Sequence, residues 1–162
     1  MRLTARVMTL ASADAIWRWR YPPPYNIYNL DSIPYHEAIE WFLEPTNDYH
    51  QIETEQGMLV GFCCFGLDAQ VPGGDYQQPG LDLGLGVHPE LTGRGLGRVF
   101  AGLTITTGIE RYQPPVLRVT VASFNQRAIR VWQHLGLREQ QHFFHGASLQ
   151  FFTILQCPTP EL

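Results

Sequence analysis

Residues 81–98 read LDLGLGVHPELTGRGLGR: an extended run, a proline, then Gly93, Gly95 and Gly97 at every second position. Leu81, Leu83, Leu85 and Val87 alternate with Asp82, Gly84 and Gly86, which is the period of a strand. Leu96, Val99, Phe100 and Leu103 then recur at helical spacing. A glycine-rich turn between strand and helix aims several unpaired backbone N–H groups at one point, beside the positive end of the helix dipole. That arrangement suits phosphate, although the glycines taken alone also fit a tight turn with no ligand. A Walker-type loop is excluded, because Gly97 is followed by Arg98 and Val99 rather than Lys and Ser or Thr. The dinucleotide fingerprint fits poorly, since the spacing here is G-x-G-x-G. Gly84 and Gly86 weaken their strand and mark a bulge or a place where a ligand lies against the backbone.

Upstream, Arg2 to Thr9 alternates as a strand, and Ser12 is placed to cap a short helix with Ala15, Ile16 and Trp19 on one face. Tyr21-Pro22-Pro23-Pro24-Tyr25 ends that helix in an aromatic-rich loop. Ser32 to Leu43 reads as a second helix, and His50 to Glu55 with Met58 to Leu67 as a hairpin. Asp68 to Gly80, rich in proline and glycine, reads as a flexible loop interrupting the sheet. Downstream, the helix beginning near Leu96 ends at Tyr112 before Pro114-Pro115, and Val116 to Ala122 forms a strand. Asn125 caps a further helix, with Ala128, Trp132 and Leu135 inward and Gly136 as its stop. Arg138 to His145 and Ala147 to Gln156 close the chain as two strands around Gly146. The expected order is β, α, α, β, β, β, α, β, α, β, β, with no internal repeat and one domain over 1–162.

A chain of 162 residues that is 44% hydrophobic can build a single core. Eleven basic against fifteen acidic residues leave a net charge of −4, with no basic cluster, so nucleic acid is not an expected partner. No signal-like segment and no bilayer-length apolar run are present, which makes a cytoplasmic protein with no membrane association the expectation. Cys63, Cys64 and Cys157 lack metal-ligand spacing; they suit core packing, and no metal site is expected. A homodimer is compatible with the sequence.

Leu85-Gly86-Val87-His88-Pro89 through Gly93-Arg94-Gly95-Leu96-Gly97 resembles the acetyl-CoA motif of the GNAT superfamily of N-acetyltransferases. Asn125-Gln126-Arg127-Ala128-Ile129-Arg130-Val131-Trp132-Gln133-His134-Leu135-Gly136-Leu137 resembles that family's second signature, an Asn-led helix ending in Leu-Gly-Phe or similar. The two motifs occupy about residues 81–137, and the matching region covers about 58–145. The resemblance implies an α/β (α+β) fold: a mixed, mostly antiparallel central sheet of about six to seven strands flanked by about four helices. It implies acetyl-CoA as co-substrate, its pyrophosphate on the N–H groups of Gly93, Arg94, Gly95, Leu96, Gly97 and Arg98, with Arg94 and Arg98 adding charge. The pantetheine arm would pair with Leu85, Gly86 and Val87, a backbone N–H near Val87 would polarise the thioester carbonyl, and Asn125 would touch CoA, cap its helix, or do both.

Where the chain departs from the family, proton transfer is affected. Thr92 replaces the usual Gln or Arg three residues before the middle glycine, which leaves the N–H cradle intact. Trp132 stands where many members carry a Tyr that protonates the departing thiolate, and Thr120 where some place a Glu base. Neither has suitable acidity or basicity. Three explanations are open: a base elsewhere, with Asp82 the first candidate and His88 the second; an amine that arrives neutral, so that proximity suffices; or a catalytically silent CoA- or ligand-binding regulatory domain. The aromatic segment after the first helix suggests the acceptor site, with Tyr25 and Tyr28 as its contact residues and a primary amine, on a small molecule or a peptide, as acceptor.

Overall fold

In the computed structural model, which describes residues 1–161, one seven-stranded sheet runs through the chain in the order β1-β2-β3-β4-β5-β7-β6. The strands are β1 (Leu3–Val7), β2 (His50–Thr54), β3 (Leu59–Phe65), β4 (Leu81–Val87), β5 (Val116–Ala122), β6 (Arg138–His145) and β7 (Gln150–Pro158). Four helices accompany them: α1 (Leu10–Trp17), α2 (Tyr35–Leu43), α3 (Gly97–Tyr112) and α4 (Gln126–His134). All neighbouring strands are antiparallel except β4 and β5, whose crossover is α3. This is the mixed, mostly antiparallel sheet expected from the family resemblance.

Two apolar clusters hold the layers together. On one face, Leu81 and Leu83 of β4 and Leu117, Val119 and Val121 of β5 pack against Phe100, Ile105 and Ile109 of α3 and Ile129 and Trp132 of α4. On the other, α1 and α2 contribute Ala13, Ile16, Ile39 and Phe42, joined by Trp19 and by Phe62 of β3. Full burial of such side chains stabilises by about 1.5–3 kcal/mol each. Strand alternation therefore sends Asp82, Gly84 and Gly86 to the face opposite α3.

Several local expectations shift for identifiable reasons. The cap of α1 is Thr9, not Ser12: the Thr9 hydroxyl accepts the Ser12 N–H at 3.2 Å, while Gln51 Oε1 accepts the Thr9 N–H at 3.0 Å. Helix α2 starts at Tyr35 rather than Ser32, because Pro34 bars Ile33 from helical backbone. Strand β7 begins at Gln150 because the hairpin turn takes residues 146–149, with Leu149 at φ +55°. Segment 68–80 is packed rather than free: the Tyr76 hydroxyl accepts the Val71 N–H at 2.9 Å and bonds Thr120 of β5 at 2.8 Å. Among the described residues no helix is long and apolar enough to cross a membrane.

Candidate functional site

The parallel pair β4–β5 is registered only from Leu81↔Leu117 to Leu83↔Val119, whereas β4 stays paired with β3 as far as Val87↔Gly61. Past Leu83 the two parallel strands part. On the β3 side, Asp82 C=O accepts from Gly66 N–H and His88 N–H donates to Val60 C=O, each at 2.9 Å. Backbone groups alternate sides along a strand, so those of Leu85 and Val87 face the parting and those of Gly86 face β3. An extended ligand bearing amides could add there as a strand would.

Gly84 and Gly86 have a reason other than ligand contact. A Cβ on Gly84 would lie 2.5 Å from Cys64 Sγ, and one on Gly86 would lie 2.2 Å from Cε1 of the Phe62 ring. The absent side chains admit these β3 neighbours, and with its backbone turned to β3, Gly86 offers no group to the parting. Of the three residues expected to meet the arm, Leu85, Gly86 and Val87, it is Leu85 and Val87 that direct backbone groups toward the parting.

Beyond β4, Pro89–Leu91 forms a single tight turn capped by His88 Nδ1, which accepts the Glu90 N–H at 3.2 Å, and the His88 ring meets Trp19 edge-on. His88 is thus a structural cap. Gly93 and Gly95 follow at φ +71° and +77°, a left-handed backbone that glycine adopts without strain. Gly97 opens α3 and answers to packing instead, since a Cβ there would lie 2.7 Å from Val131 of α4. Leu96 turns its side chain into the core and offers only its backbone. Among the described residues no acceptor reaches the N–H groups of Gly93, Arg94, Gly95, Leu96, Gly97 or Arg98. Six consecutive N–H groups, four ahead of the 16-residue helix α3 and two in its first turn, are thus left without an acceptor, the kind of donor set that suits an anion.

A cation missed in the sequence completes it. Arg127, in the first turn of α4, reaches over Gly93, where a Cβ would lie 2.7 Å from its Nη1. Its guanidinium lies 4.0 Å from the centre of the Tyr25 ring, and among the described residues no carboxylate pairs with it. The sequence held a signal for this residue: α4 has no acid in its first turn, and a cation there opposes the helix dipole unless an anion comes between. Arg94 and Arg98 are exposed on the turn and at the start of α3.

An aromatic bridge closes the outer end of the parting. The Tyr21 hydroxyl donates to Val87 C=O at 2.7 Å, its ring meets Tyr28 edge-on, and Asn125 Nδ2 donates to the Tyr28 oxygen at 3.1 Å. Tyr25 and Tyr28 both pack on Phe124, at the end of β5. Asn125 also caps α4, its Oδ1 accepting the Ala128 N–H at 3.2 Å. Burial raises the Tyr21 and Tyr28 phenol pKa values, and for Tyr28 the bond from Asn125 opposes the shift. Tyr25 and Tyr28, neighbours in one short turn, therefore meet the distant Asn125 at the same end of the sheet.

Asp82 is placed differently from the expectation. Its carboxylate is 3% exposed and takes a fork from Arg118 of β5, Nε to Oδ1 at 2.6 Å and Nη2 to Oδ2 at 2.8 Å, with Gln70 Nε2 adding 2.9 Å to Oδ2. Arg118 is 2% exposed, is stacked under Tyr76, and is held more firmly protonated chiefly by its bonds to Asp82. A general base needs a lone pair within reach of its proton. Both Asp82 oxygens are instead engaged inside the protein at the paired end of β4–β5, in a buried ion pair with Arg118. Thr120 bonds Tyr76, and Trp132 is buried against the sheet.

The chain matches the family model described as acetyltransferase (GNAT) family over residues 12–137. Among solved structures it is similar to a GNAT-family acetyltransferase from Bacillus anthracis, with 15% identity, a TM-score of 0.73, and coverage of 99% of this chain and 97% of that one. It is similar also to a chimera of the Vibrio cholerae spermidine N-acetyltransferase SpeG with hSSAT (16% identity, TM-score 0.76, coverage 98% and 96%). YncA from Salmonella typhimurium, a putative acetyltransferase solved with its cofactor acetyl-CoA, superposes at 21% identity and TM-score 0.68, with coverage 99% and 95%. No curated protein matches by sequence.

Proposed function

Because this chain belongs to the GNAT family of acetyltransferases, we propose that it moves the acetyl group of acetyl-CoA to a primary amine, on a small molecule or at a peptide or protein N-terminus. The observation that carries this reading is the parting of β4 from β5 directly before six unpaired N–H groups. Pyrophosphate matches the cradle in charge and donor geometry, with Arg127, Arg94 and Arg98 as counter-charges. The amides of pantetheine match the edge offered by Leu85 and Val87. A thioester held there lies beside the Val87 N–H, a donor that stabilises the oxyanion formed when an amine attacks.

The acceptor approaches from the aromatic bridge. Tyr25, Tyr28 and Phe124 present ring faces that attract an ammonium group, and Arg127 on Tyr25 shows the same attraction within the protein. With Asp82 closed in its ion pair, no carboxylate of the site is assigned to deprotonate the amine. The neutral fraction present in solution is the attacking species, and the chief catalytic contribution is proximity, worth up to about 7–11 kcal/mol in well-oriented systems.

The test mixes the purified protein with acetyl-CoA and a panel of polyamines, small amines, lysine peptides and N-terminal peptides, following free thiol. Acceptor-dependent thiol release is the expected result. Calorimetric CoA binding without release across the whole panel leaves a catalytically silent CoA-binding or regulatory domain, and no binding at all removes both readings.

A further inference from the structure

Acetyl transfer from a thioester leaves a thiolate that must gain a proton, and the residue positioned to give it is set by one side-chain amide. Asn125 is locked in orientation: its Oδ1 accepts the Ala128 N–H at the start of α4, so Nδ2 is necessarily the atom facing Tyr28. An amide nitrogen only donates. The Tyr28 oxygen is therefore the acceptor, and its own proton is left to point elsewhere. We infer that Tyr28 is the acid that protonates the departing CoA thiolate, with Asn125 as its positioning residue.

The other hydroxyls and rings of the neighbourhood do not meet this requirement. Tyr21 gives its proton to Val87 C=O, the Tyr25 ring lies under Arg127, and Tyr76 accepts from Val71 and is bonded to Thr120 beside the ion pair. Trp132 is buried and has no usable acidity. Tyr28 stands between Asn125, just past the end of β5, and Tyr21, which is bonded to the end of β4, and the residue as a whole is 36% exposed. It thus spans the mouth where the strands part. Donation by Asn125 stabilises the phenolate that forms.

The step balances as follows. The amine nitrogen bonds to the thioester carbon, the C–S bond breaks and sulfur leaves with the electron pair. Tyr28 O–H gives its proton to sulfur, and the phenolate takes back the proton that the acylated nitrogen releases.

This inference rests on the acetyl-transfer reading, and its test separates the two. With the best amine of the panel, Tyr28→Phe is expected to lower kcat about a hundredfold while acetyl-CoA affinity changes less than threefold. Asn125→Asp keeps the α4 cap but turns the Tyr28 proton toward the new carboxylate; kcat should fall to a similar level, and the double variant should be no slower than either single one. Full kcat in Tyr28→Phe, a loss explained by acetyl-CoA affinity, or additive losses in the double variant would overturn the role of Tyr28 and leave acetyl transfer standing. Absence of acceptor-dependent turnover in the unaltered protein would overturn both.

Discussion

The two halves of the β4–β5 pair are made from the same strands and treat polar groups in opposite ways. At the paired end, Asp82 and Arg118 sit opposite each other in register, buried, with their strongest bonds made to one another. At the parted end, the backbone groups of Leu85 and the N–H of Val87 turn toward no strand, and the N–H groups from Gly93 to Arg98 have no acceptor among the described residues. A buried charge needs a partner inside the protein, whereas donors open to solvent are free to take water or a ligand. One half is closed by its own charges, and the other leaves its donors open.

The sharpest way to break this contrast is Asp82→Asn. If the pair is a closure and not a base, losing one charge leaves Arg118 buried and uncompensated, at a cost of about 3–5 kcal/mol in denaturant unfolding, with turnover per folded molecule largely kept. Lost turnover at unchanged stability would return Asp82 to the chemistry. Next in size, Gly86→Ala forces a methyl against the Phe62 ring and should destabilise by about 1–3 kcal/mol. A stable Gly86→Ala protein that had lost only CoA binding would show that the ligand, not Phe62, needs that glycine.

At the open end, Arg127→Gln removes a charge from the cradle together with its contact on the Tyr25 ring, and calorimetry should read a loss of CoA affinity of about tenfold or more. Unchanged affinity would detach Arg127 from the phosphate site. The smallest effect expected concerns the thiols. Burial pushes Cys63 up to about 12 and raises Cys64 as well, while half-buried Cys157 is raised less. At pH 8 thiol labelling of the native protein should proceed first at Cys157, with Cys63 and Cys64 reacting only on unfolding. Early modification of Cys64 would mean that β3 loosens behind Gly84.

Much of the fold is legible along the chain because it depends on neighbours in sequence. The alternation of Leu81 to Val87, the helical spacing after Leu96, the Asn125 cap and the proline stops at 22–24, 45 and 114–115 place the elements to within a few residues. The glycine turn is legible for the same reason, since its φ values and its position before α3 are local properties. Asp82 shows where such reading ends. An acid in an apolar strand announces that it needs a partner; that the partner is Arg118, thirty-six positions later, depends on the register of a parallel pair.

The sequence by itself determined the order of strands and helices, the glycine turn before α3 and the family resemblance, because backbone preference and hydrophobic period act over a few residues. Only the tertiary structure decided that Gly84 and Gly86 make room for Cys64 and Phe62, that Asp82 is closed by Arg118, that Arg127 overhangs Gly93, and that Asn125 meets Tyr28. Those outcomes turn on which side chains approach within about 3 Å across the sheet. A distance between residues far apart in the chain is set by packing, not by spacing.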